Sequence, residues 1–215
     1  MRQRSYSGLF VAEGSSDAPL AELIESLFLE RGIEVRLSQP DFSLLGKVHK
    51  DVRSRVAAGL RLVGAPVDLV VVHRDADNAG HDARLREITG AIGSLDVASA
   101  LIPVIPVRMT EAWLLLDETT IRLVAGNPTG RMGLTLPKRH EVEALADPKE
   151  MLRTCLLAAS GETGRRREAV RKRFNQHRRQ LLQLLDPSGP VARLDSWKRL
   201  REDIDRIAAR WEPHR

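Results

Sequence analysis

Val67-Asp68-Leu69-Val70-Val71-Val72-His73-Arg74-Asp75-Ala76-Asp77 decides the fold. A continuous β-branched run of this length is what a strand covered on both faces looks like. The run breaks into a polar turn, Arg74 to Gly80. Upstream, Gly8 to Ala12 (GLFVA) is a second short apolar run, ending in Glu13-Gly14-Ser15-Ser16-Asp17. It also reads as a buried strand entering a turn. Ser16 or Asp17 is placed to cap a helix in which Leu20, Leu23, Ile24, Leu27 and Phe28 recur at helical spacing, with Gly32 as its stop. Ile33 to Leu37 alternates and predicts a partly exposed strand. Leu45 to Val63 is amphipathic and predicts a helix closed by Gly64-Ala65-Pro66. Downstream, Asp82 to Ile92 reads as a helix and Ala100 to Val107 (ALIPVIPV) as a fourth strand. Pro103 and Pro106 push that strand toward a sheet edge. Thr110 reads as an N-cap, which places Glu111 in a first helical turn.

Strands alternating with helices predict an α/β fold with a mainly parallel, four-stranded, Rossmann-like sheet and flanking helices. The strand signal ends near residue 120. The expected division is an α/β domain over 1–125 and, over 126–215, a loop and helical C-terminal extension packed on it. Asn127 to Lys138 reads as loop; Pro148 to Ala159, Glu162 to Leu185 and Leu194 to Trp211 read as helices. With 215 residues, 42% of them hydrophobic and 29% charged, the chain can bury a real core. Cys155 is the single cysteine, so an internal disulfide and a cysteine-rich zinc site are excluded. No apolar run approaches the roughly 18 residues of a membrane span. The start of the chain, Met1 to Gly8, shows no leader pattern, so the expected location is the cytoplasm, with no membrane partner.

Four acids stand out by position. Glu13 ends the first strand, Asp75 and Asp77 end the third, and Glu111 follows the fourth. In a parallel sheet these ends share the carboxyl edge, where open α/β folds hold their ligands. Carboxylates crowded there repel one another unless compensated, and a divalent cation is the usual compensation. Hard oxygen ligands favour Mg²⁺ or Mn²⁺. The plainer reading stands beside this one: Asp after a strand is often a cap or turn former, and Glu111 suits a helix dipole. His73 and Arg74 flank the same turn. His73 is placed either to assist proton transfer or to sit satisfied at a strand end, and Arg74 either to meet phosphate or to pair with the acids.

The segments Val11-Ala12-Glu13-Gly14-Ser15-Ser16-Asp17 and Asp75-Ala76-Asp77 resemble the TOPRIM superfamily. The chain looks closer still to the TOPRIM-like family called domain of unknown function 4276. That likeness adds Thr110-Glu111-Ala112-Trp113-Leu114-Leu115-Leu116-Asp117, Asp147-Pro148-Lys149-Glu150 and Leu194-Asp195-Ser196-Trp197, so it covers most of the chain. The resemblance implies a TOPRIM-like sheet, an acidic site for Mg²⁺ or Mn²⁺, and nuclease or related phosphodiester transfer on nucleic acid. It makes Glu13 the general acid–base, Asp75 and Asp77 metal ligands, and Glu111 a further ligand for one or a second ion. Asp17 becomes a supporting residue or an N-cap, and His73 and Arg74, by their position in the turn, stand as supporting residues beside it. It further implies a role in bacterial defence with a separately encoded ATPase, since no GxxxxGK[ST] loop is present. Tyr6, the only tyrosine, is poorly placed for a topoisomerase nucleophile.

The formal net charge is +5, from 34 Lys and Arg against 29 Asp and Glu. Arg165, Arg166, Arg167, Arg171, Lys172, Arg173, Arg178 and Arg179 concentrate it in one stretch. They read either as phosphate contacts for DNA or RNA or as a solvated helix face. Aromatics are only 4%, so stacking platforms are few. Two alternatives to the nuclease therefore stay open: a non-catalytic module that binds nucleic acid or protein, and a small-nucleotide phosphohydrolase.

Overall fold

A strand apolar at successive positions and covered on both faces organises the molecule. The computed structural model describes residues 5–95 and 97–211. Met1 to Arg4, at the head of the segment read for a leader, lie outside the described residues. Strands β1 (Ser5–Val11), β2 (Glu34–Ser38), β3 (Leu69–His73) and β4 (Ala100–Val104) form one all-parallel sheet in the order β2-β1-β3-β4. All five residues of β3 are buried. Burial stabilises each valine there by about 1.5–3 kcal/mol. The proline-bearing β4 lies at an edge, where a missing N–H is tolerated. In β1, a Cβ on Gly8 would come within 2.5 Å of Leu37 Cδ2, so glycine there leaves the space that Leu37 fills.

The described residues contain ten α-helices: α1 (Pro19–Leu29), α2 (Val52–Val63), α3 (His81–Gly93), α4 (Thr110–Leu114), α5 (Glu118–Val124), α6 (Arg139–Val142), α7 (Pro148–Ser160), α8 (Gly164–Lys172), α9 (Phe174–Gln183) and α10 (Asp195–Trp211). Leu9, Val11, Val70 and Val72 pack on one face against Val52 and Val56 of α2 and Ile88 and Ile92 of α3. Phe10, Leu69, Val71 and Val104 face the other way, into a core shared with α1 and the C-terminal helices. That core runs across residue 125. Trp113 of α4 meets Trp197 of α10 edge-on at 5.0 Å, and its Nε1 donates to Ser196 Oγ at 2.8 Å. None of these helices is long and apolar enough to cross a membrane.

Several expected elements change extent for local reasons. The helix expected from Leu45 begins at Val52, because Gly46 takes a left-handed φ of 69° and Asp51 caps the helix by accepting from Ser54 N. The helix expected over Glu162 to Leu185 breaks at Arg173, which joins α8 to α9. Thr110 is the first residue of α4 and not its cap; Met109 holds that position without a side-chain bond. Asp17 does not cap α1. Asp117 and Asp147 do cap α5 and α7, accepting from Thr120 N and Glu150 N.

Candidate functional site

The chain after β3 stays bonded to the chain after β4. Arg74 N donates to Val104 O, Ala76 N to Pro106 O and Asp77 N to Arg108 O, at 2.8–3.0 Å. These bonds hold the Asp75–Asp77 turn at the carboxyl edge, beside the end of β1. Asp77 sits at φ 46°, a left-handed conformation that Asp tolerates better than most residues.

The acids fall into two tiers. The outer tier is partly open to solvent. Glu13 Oε1 lies 2.6 Å from Arg74 Nη1, and Arg74 Nη2 lies 3.3 Å from Glu87 Oε1. Arg84 links Glu87 at 2.8 Å to Asp77 Oδ2 at 3.2 Å, and donates through Nε to the Asp75 carbonyl. The inner tier is buried. Asp75 Oδ1 accepts from Thr110 N at 3.0 Å and from the Thr110 hydroxyl at 3.2 Å. His73 Nε2 lies 3.0 Å from that hydroxyl and 3.4 Å from Asp75 Oδ1. Its Nδ1 faces Asp17 Oδ2 at 3.8 Å. Arg178, from α9, donates through Nη2 to Asp17 Oδ1 at 2.6 Å and through Nε to Glu111 Oε1 at 2.9 Å.

This electrostatic environment moves Glu13, Asp75 and His73 among others. Burial pushes the Glu13 carboxyl up; Arg74 opposes this, and the nearby charges of Asp75 and Asp77 add to the rise. Asp75 is held below its ordinary range: burial works against ionisation, but the His73 hydrogen bond and charge and the Thr110 amide outweigh it. His73 is pushed up: burial alone would lower it, yet Asp75 and Asp17 on its two sides favour the imidazolium.

The structure therefore brings Glu13 and Asp77 to one solvent-reached rim, with side chains 31% and 38% exposed, and sets Asp75, at 18%, where that rim meets the inner tier. Asp17 and Glu111, at 7% and 4%, lie inward and are bridged by Arg178. Sequence reasoning put Arg178 in the basic stretch, on the surface, as a nucleic-acid contact or part of a solvated face. In the fold it is buried and its guanidinium serves the acids. The signal was present: Phe174, His177, Arg178, Leu181 and Leu182 recur at helical spacing and are the buried face of α9. Arg165, Arg166, Arg167, Arg171, Lys172, Arg173 and Arg179 are exposed, and Arg171 also pairs with Glu168 at 2.7 Å. Arg84 and Glu87 were missed, since an i,i+3 pair on a helix carries no linear mark of a site.

Several features bear on whether a hard cation fits here. Six carboxylates (Glu13, Asp17, Asp75, Asp77, Glu87, Glu111) are paired with three guanidiniums and His73, so negative charge is in excess even with His73 protonated. Glu13 Oε2, Asp75 Oδ2 and Asp77 Oδ1 accept no hydrogen bond from the described residues. As the side chains stand, no three His, Cys, Asp or Glu among the described residues are gathered tightly enough to hold an ion. Mg²⁺ commonly takes only one or two carboxylates and completes its shell with water and phosphate. The donor chemistry of the outer rim suits such an ion. Glu111, committed to Arg178, suits it less. No protein-family model, curated protein or solved structure matches this chain.

Proposed function

We propose that this chain is a Mg²⁺- or Mn²⁺-dependent nuclease, or a related phosphodiester phosphotransfer enzyme, of TOPRIM-like design. The observation that carries this reading is the excess of carboxylate charge at the carboxyl edge, with one oxygen on each of Glu13, Asp75 and Asp77 that accepts no hydrogen bond from the described residues. Asp75 and Asp77 would hold the ion, with Glu13 beside it. When bound, such an ion lowers the pKa of water and stabilises the leaving oxygen of a phosphodiester. Glu13, with its raised pKa, is suited to carry a proton to the departing oxygen. Thr110 and His73 fix the Asp75 carboxylate in orientation. Arg74 and Arg84 supply positive charge at the rim where a substrate phosphate would arrive. The exposed arginines of α8 offer sequence-independent contacts to a nucleic-acid backbone. A role in defence alongside a separately encoded ATPase belongs to the same proposal.

The test is cleavage of plasmid and single-stranded substrates by purified protein with Mg²⁺ or Mn²⁺. Activity that depends on the ion and disappears in both Glu13→Ala and Asp75→Ala supports the reading. Activity that survives them opposes it. A second reading, a non-catalytic module binding nucleic acid or protein, is favoured by the arginines that already neutralise much of the acid cluster. It predicts salt-sensitive binding with no ion-dependent turnover.

A further inference from the structure

A cleft of about 430 Å³ opens directly beside Glu13, between the end of β1, the turn at Gly14 and Ser15, and the loop after β2 that runs from Gln39 to Ser43. That volume lies within the roughly 300–1,000 Å³ of small-molecule sites. One wall is Phe42, a half-buried ring in a chain with only 4% aromatics. The Arg55 guanidinium lies 5.9 Å from the centre of that ring and donates to the carbonyls of Ala12 and Glu13, at 2.9 Å for the latter. Arg55 thus ties the Phe42 wall to the strand end that carries Glu13.

The polar part of the lining comes from Glu13, Ser15, Gln39, Asp41, Ser43 and Arg55. Asp41 Oδ1 accepts from Ser43 N at 2.9 Å, and the Ser43 side chain and amide together hold this exposed carboxylate ionised, below its ordinary range. Two carboxylates against one guanidinium make the cleft a poor place for a phosphate. They make it a good place for a flat, uncharged group that stacks on an aromatic ring and presents N–H donors to a carboxylate.

We propose that this cleft is a nucleobase subsite, selective for bases with an exocyclic amino group, which holds the nucleotide next to the phosphodiester cleaved at the acidic rim. The assignment of a neighbouring phosphodiester rests on the nuclease reading; the base pocket itself is measured without it. The cleft takes the base of guanine, adenine or cytosine, with an amino group on Asp41 and the ring against Phe42. Uracil and thymine lack that amino group and bind less tightly. The phosphate remains outside, toward Arg74 and Arg84.

The experiment titrates the ¹⁵N-labelled full chain, without divalent ions, with guanosine, adenosine, cytidine and uridine, and follows the amides of Gly14, Ser15 and Ser43. Saturable shifts are expected with the three amino nucleosides, and uridine should bind at least about fivefold more weakly. Phe42→Ala and Asp41→Asn should each weaken binding by about fivefold or more, the low end of what one stacking aromatic contributes. Unchanged amide spectra elsewhere show that each variant is folded; Asp41→Asn keeps the loop side chain nearly isosteric should Phe42→Ala unfold. No saturable shift, uridine binding equal to guanosine, or wild-type affinity in both variants overturns the proposal. These nucleosides carry no phosphate and no ion is present. Failure here therefore leaves the cleavage assay to judge the acidic rim, and binding here without cleavage removes only the nuclease reading.

Discussion

Arg178 Nη2 lies 2.6 Å from Asp17 Oδ1, joining residues 161 positions apart and tying the C-terminal helices to the carboxyl edge of the sheet. The same guanidinium holds Glu111 through Nε at 2.9 Å. All three side chains are at most 7% exposed, so the pairing is deep in the molecule. Removing one member of a buried ion pair leaves an uncompensated charge, at a cost of about 3–5 kcal/mol. Arg178→Met should therefore lose stability of that order in urea unfolding. Adding Asp17→Asn and Glu111→Gln to it should recover a large part of the loss. A merely surface arginine would show neither effect.

The exposed arginines of α8 should behave oppositely. Replacing Arg165, Arg166 and Arg167 with glutamine should leave stability within about 0.5 kcal/mol. If they neutralise phosphates, binding to duplex DNA should weaken. Log K should also fall less steeply with log salt, by about 0.9 for each phosphate that no longer has its arginine. Fluorescence anisotropy at several salt concentrations measures this. An unchanged slope would assign the stretch to solvent.

Thr110 is wholly buried and its hydroxyl stands between His73 Nε2 and Asp75 Oδ1. Thr110→Val keeps the shape and strips the oxygen, leaving His73 Nε2 without that partner. The expected cost is about 1–3 kcal/mol, read by chemical unfolding. Thr110→Ser, which retains the hydroxyl, should cost less.

His177 is buried on the inner face of α9, and burial, aided by the charge of Arg173, pushes its imidazole below the ordinary value. The unfolded chain then takes the proton first. Its contribution to stability is intact above the unfolded pKa of about 6.5 and is lost as the pH falls from there through the lower folded value. In His177→Gln, unfolding free energy measured between pH 7.5 and 5 should decline less than in the parent chain. An equal or steeper decline would contradict this assignment.

The sheet was legible from β-branched runs and alternation because a strand covered on both faces leaves no other pattern at Leu69–His73. The gathering of Glu13, Asp75 and Asp77 followed from the rule that parallel strands end on one edge. What could not be read was how their charge is balanced. Arg178 arrives from a distant helix, and its partners are fixed only by how α9 docks against the turn at Ser15–Asp17. Its place in an apolar stripe marked it as inward-facing, but the surrounding arginines masked that mark. The break at Arg173 was hidden for a similar reason: polar helices carry little periodicity to interrupt.

Crystals of the full chain grown with Mn²⁺ test the central claim most directly, through the anomalous signal of the ion. The account predicts a peak at the carboxyl edge, coordinated directly or through water by Asp75 with Glu13 or Asp77, and lost in Asp75→Asn. An edge without such a peak, with Arg74 still on Glu13 and Arg84 still on Asp77, would contradict it.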